Sequence, residues 1–74
     1  MIKAKDRKRI ERAINSLNSA LENIKEYVPN ANYYIEDSDS FLVLSGDTHD
    51  ENGEARPDRV MAYFKLIGAS GGGW

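Results

Sequence analysis

Cysteine is missing from this sequence, and histidine and tryptophan occur once each. Without thiols no disulfide can staple a small fold, and one imidazole cannot furnish the usual ligand set of a zinc site. No metal and no cofactor is expected. The lack of cysteine also fits a reducing compartment. Long apolar runs are absent: Phe41 to Leu44 is typical, and no run approaches the roughly 20 residues that cross a bilayer. The first residues hold no apolar stretch of the kind a secretory signal needs. A membrane partner is not expected.

What is present is a 74-residue chain with 41% hydrophobic and 30% charged residues, enough for one domain and one core. Ordering such a chain costs about 1.5 kcal/mol per residue, which apolar burial in small scaffolds only roughly offsets. Self-association is the expected supplement. The net charge is −2, but residues 1–12 carry +4 and the remainder −6. A free-standing nucleic-acid binder is normally basic overall, so nucleic acid is not the expected partner.

From Lys3 to Val28 the apolar residues Ile10, Ile14, Leu17, Leu21, Ile24 and Val28 recur at alternating spacings of four and three, the pattern of one amphipathic helix. Pro29 stops it, because its ring disfavours the helical conformation at the preceding residue. Tyr33 to Glu36 and Ser40 to Ser45 then read as two strands of a hairpin around Asp37, Ser38 and Asp39. Arg59 to Ile67 reads as a third antiparallel strand, although Met61, Ala62 and Lys65 are equally at ease in a helix. The predicted fold class is α+β: an N-terminal helix packed on a three-stranded antiparallel meander, over residues 1–67, followed by a flexible Gly-rich tail at 68–74.

Alternation along the predicted strands sets Phe41 and Val43 against Leu42 and Leu44, and Val60, Ala62 and Phe64 against Met61, Tyr63 and Ile67. Both faces are apolar, and one helix covers one face. A homo-oligomer is therefore expected, with a second copy burying what the helix leaves open.

Between Gly46 and Pro57 the connection is much longer than a hairpin needs, and loops of such length are commonly functional or disordered. Thr48, His49, Asp50, Arg56, Asp58 and Arg59 bring hydroxyl, imidazole, carboxylate and guanidinium groups to it, a set able to hold a polar ligand. The plainer reading is a solvated loop that turns at Asn52-Gly53. Acids outnumber bases here, so phosphate binding needs help from elsewhere. Aligned as a calcium loop on Gly53, the segment puts Thr48 first and Arg59 twelfth, where Asp and Glu are required. No phosphate-binding Gly-x-x-x-x-Gly-Lys-Ser/Thr segment exists, and His49 has no evident nucleophile elbow beside it. No catalytic residue is assigned, and the chain is not expected to be an enzyme.

Lys5, Lys8, Arg9 and Arg12 share a helix face opposite the apolar stripe; this is a solvated face or, less simply, a phosphate-reading one. Trp74, at the end of a triple-glycine tether, is an apolar plane able to stack on a base or on a neighbouring subunit. It joins the candidate ligand residues.

The charged N-terminal helix, the Ala31-Asn32-Tyr33-Tyr34 strand, the Ser45-Gly46-Asp47-Thr48-His49-Asp50 segment, the Gly53, Arg56, Asp58 and Arg59 spacing and the Gly-Gly-Gly-Trp end together resemble a group of small tailed-phage accessory proteins. The likeness runs over nearly the whole chain. In that group the tail often reads Gly-Gly-Asp-Trp, so Gly73 is a departure. The resemblance implies a binding protein in the host cytoplasm that counters host defence, by sequestering a nucleotide-derived immune signal in an oligomer. Its alternative is an inhibitor that docks on a host protein through its helix or exposed sheet face.

Overall fold

A computed structural model of the chain describes residues 1–37 and 39–68. It contains one helix, α1 (Ala4–Lys25), and three strands, β1 (Asn32–Glu36), β2 (Ser40–Leu44) and β3 (Val60–Lys65), preceded by a single 3-10 turn at Pro57–Arg59. The sheet is antiparallel in the order β1-β2-β3, a simple meander. The α+β arrangement expected from the periodicities is the one present, and the third segment is a strand.

The helix is shorter than the apolar spacing suggests. The helix ends at Lys25 with Glu26 as its C-cap, and the Tyr27 and Val28 N–H groups both donate to the Ile24 carbonyl in the turn ahead of Pro29. Lys3 occupies the N-cap without a side-chain hydrogen bond, and Asp6 is the acid that answers the helix dipole in the first turn.

Glu36 pairs with Ser40, which closes the hairpin between β1 and β2, and Asp37 takes a positive φ of 51°. Aspartate is one of the few residues that enters the left-handed region at modest cost. At the other end of β2 the register slips: Val43 faces Ala62 while Leu44 faces Val60, leaving Met61 as an extra residue. This bulge revises the face assignment made from alternation. Val60 shares the side of Leu44 and Leu42, whereas Met61 joins Ala62 and Phe64 beside Phe41 and Val43.

Among the described residues only Ala31, Leu42, Val43 and Leu44 are buried hydrophobics. Three of them are consecutive on the central strand, so both faces of the sheet are covered at its middle. Leu42 and Leu44 are closed off within one subunit and are not the surface a second copy would cover. The helix, by contrast, has no buried residue at all. At 1.5 Å per residue it is about 33 Å long, roughly twice the length of β2. Its apolar stripe is half-buried at Leu17, Leu21 and Ile24 and exposed at Ile10 and Ile14.

Candidate functional site

The long connection is a small structured hairpin. His49 and Ala55 form an antiparallel bridge, Arg56 N–H donates to the Thr48 carbonyl, and Asp50 N–H donates to the Glu54 carbonyl. Asp50 organises the turn: its Oδ1 accepts from the Asn52 and Glu54 backbone N–H groups at 2.9 and 3.0 Å. Gly53 completes the turn at φ 81°. A Cβ there would meet nothing within 4 Å, so the cost of adding one lies wholly in the backbone. Gly53→Ala is expected to destabilise the protein by about 1 kcal/mol in urea titration, through the left-handed conformation alone.

The six candidates among the described residues, Thr48, His49, Asp50, Arg56, Asp58 and Arg59, all fall in this hairpin and the 3-10 turn after it, and several of them bond one another. Arg56 grips Asp58 with two hydrogen bonds, Nε to Oδ1 at 2.9 Å and Nη2 to Oδ2 at 2.7 Å, and its Nη1 stands 3.9 Å from Asp50 Oδ2. Thr48 Oγ1 and His49 Nδ1 are hydrogen-bonded at 3.0 Å. Arg59 turns away from this cluster, donating from Nη1 to the Asp47 carbonyl at 2.9 Å. Trp74, the remaining candidate, lies outside the described residues.

These contacts move the protonation of both acids in one direction. The Glu54 backbone N–H holds Asp50 below the usual carboxylate value, against an opposing effect of burial, with Asn52 N–H and Arg56 adding to it. The hydrogen bonds from Arg56 do the same to Asp58, and Asp58 in turn raises the Arg56 guanidinium. Because the folded values are depressed, the stability this contributes is complete above the unfolded carboxylate value and is lost as pH falls through the folded one. Thermal melts from about pH 5 down to pH 2 should therefore show a declining Tm, and Asp50→Asn should flatten part of that decline. An unchanged slope in that variant would remove Asp50 from the account.

Two concave surfaces flank the sheet. The first is a polar cleft of about 640 Å³ at the end of the sheet where α1 runs into β1. Pairing of Asn32 with Leu44 sets the helix–strand linker opposite Ser45 and Gly46, and the cleft opens there, with Lys25 and Arg59 both in its lining. Neither cation takes part in a salt bridge among the described residues. Asn32 Oδ1 is shut off from water with no hydrogen-bond donor, a situation that costs about 1–3 kcal/mol. Nothing in the sequence pattern marks Lys25 or Asn32, because only the folded chain gathers them into one lining with Arg59.

The second is an apolar groove of about 720 Å³ between the helix and the sheet. Leu17, Ile24 and Tyr27 form one wall, and Tyr33, Phe41 and Phe64 the other. The Tyr33 hydroxyl donates to the Leu17 carbonyl, and its ring packs on Phe41 with centroids 4.9 Å apart. That contact clamps the two walls at one point and leaves the remainder open. Phe64 is 56% exposed, Met61 44% and Tyr27 74%.

No helix among the described residues is long and apolar enough to cross a membrane, and no group of three or more His, Cys, Asp or Glu side chains is arranged to hold a metal ion. Comparison with protein families, with curated proteins and with solved structures finds no match.

Proposed function

We propose that this chain is a binding protein without catalytic machinery of its own, and that it works as a homo-oligomer in which a second copy closes the apolar groove. The observation that carries the proposal is the open groove itself. Ile14, Tyr27, Met61 and Phe64 leave large apolar surface in water along one continuous helix-to-sheet seam, in a subunit with a very small core. A second copy is the occupant best matched to it. Each subunit supplies both a helix whose N-terminal half exposes Ile10 and Ile14 and a groove of matching chemistry. The charges agree as well: residues 1–12 carry +4 and the remainder −6, so the helix end of one copy is attracted to the body of the next.

The role we propose rests on analogy with small phage accessory proteins that disarm host systems: an oligomer that binds a nucleotide-derived immune signal in the host cytoplasm and withholds it from its receptor. Sequestration requires burial and charge complementarity and no bond-breaking step. Size-exclusion chromatography with light scattering tests the assembly. The expected mass is a multiple of the 8.3 kDa subunit. Nucleotide retained from infected-cell lysate on the immobilised protein, identified by mass spectrometry, tests the role. A protein monomeric at every concentration, and recovered from lysate with a host protein in place of nucleotide, would overturn the proposal in favour of an inhibitor docking through the same groove.

A further inference from the structure

The geometry points to the cleft lined by Lys25 and Arg59 as a binding site for a sugar phosphate, the unit that nucleotides share. This inference rests on the reading of the chain as a binding protein and moves its ligand away from the hairpin that the sequence suggests.

The two arginines decide the location. Arg56 gives one edge of its guanidinium to Asp58 in two hydrogen bonds and has the Asp50 carboxylate 3.9 Å from Nη1, so its charge is already answered and a phosphate would have to displace a bidentate carboxylate. Arg59 commits one nitrogen to a neutral carbonyl, that of Asp47. A guanidinium has five N–H donors, and this arrangement uses one nitrogen while leaving the charge without a carboxylate in salt-bridge range among the described residues. Lys25, in the last turn of the helix, lines the same cleft, also without a salt bridge among the described residues.

The rest of the wall suits the remainder of such a ligand. Asn30, Asn32, Ser45 and Asp47 line the cleft, offering amide, hydroxyl and carboxylate groups that bond sugar hydroxyls. Asn32 has an acceptor with no donor, which a ligand hydroxyl reached by a turn of the carboxamide would satisfy. At about 640 Å³ the space falls within the usual size of small-molecule sites. Gly46 forms part of the lining and places no side chain in it; a Cβ at that position would lie 3.5 Å from Arg59 Cδ, against the side chain that the site uses.

The test is an amide-resolved NMR titration of the full chain with ribose 5-phosphate, ribose and inorganic phosphate in separate arms. Saturable shifts centred on Lys25, Asn32, Gly46 and Asp47 with ribose 5-phosphate, and none with ribose, are the expected result. Lys25→Gln should weaken binding about tenfold, the weight of one charge-assisted hydrogen bond, and Arg59→Gln by at least as much. Lys25 is exposed, so its variant tests the site without endangering the fold. Arg56→Gln should bind as the wild type does. Equal shifts with inorganic phosphate alone would reduce the site to an anion site and overturn the sugar component. No shift in the cleft, or shifts in the hairpin that Arg56→Gln abolishes, would overturn the whole inference. Light scattering on the same samples reports the assembly independently, so loss of the ligand site and loss of the oligomer are read separately.

Discussion

Leu44→Ala should cost about 2–5 kcal/mol, the range for removing a buried leucine, and leave a large fraction of the chain unfolded without denaturant. Leu44 is fully enclosed, at 0% exposure, and is paired on one side with Asn32 and on the other with Val60, beside the register slip. Few other groups are available to share the load, since only Ala31, Leu42 and Val43 are also buried hydrophobics among the described residues. The cavity therefore opens at the one place where both faces of the sheet are closed. Urea unfolding followed by far-UV circular dichroism measures the loss. A change below about 1 kcal/mol would mean that the site collapses around the smaller side chain and that the core lies elsewhere.

Phe64→Glu is expected to dissociate the oligomer while the helix and sheet survive. Phe64 forms part of the groove wall and is 56% exposed in the subunit, so a charge there costs the isolated fold little but must be desolvated when a second copy closes the groove. The neighbouring Tyr63 supplies the control. It is 63% exposed, comparable to Phe64, but pairs with Leu42 and so lies on the opposite side of the sheet. Tyr63→Glu should keep the wild-type molar mass. Dissociation should also remove the dependence of Tm on protein concentration, because the stabilisation supplied by self-association follows mass action. If both variants keep the wild-type mass, or both lose it, the groove is not the interface.

Much of the fold was legible before any coordinates. The alternating three and four spacing from Ile10 to Ile24 is a local property of the chain, and so is the break at Pro29; together they fix the helix to within three residues of its end. The hairpin joining β1 to β2 follows from turn residues between two apolar runs. The solvated turn at Asn52-Gly53, the plainer reading of the long loop, describes its geometry well, because the Asp50 side chain bonds its own backbone two and four residues on. Such short-range bonds depend on neighbours in sequence and can be read from them.

The division of labour among the charged residues was not legible. Composition placed Arg56 and Arg59 in one set, and only the folded chain separates them, turning Arg56 onto Asp58 and Arg59 onto the Asp47 carbonyl. The side of the sheet on which Met61 and Val60 lie was likewise undecided by alternation, since one extra residue in a strand reverses every face beyond it.

The sequence by itself determined one helix, three strands and their antiparallel order, because hydrophobic period and turn chemistry act over a few residues. Tertiary structure alone decided which apolar surface is left open, and that Lys25 and Arg59 line one cleft. Both depend on strand register, on how Asn32 pairs with Leu44 and on where Met61 is inserted between Val60 and Ala62. Register is a relation between segments distant in the chain, and no local preference specifies it.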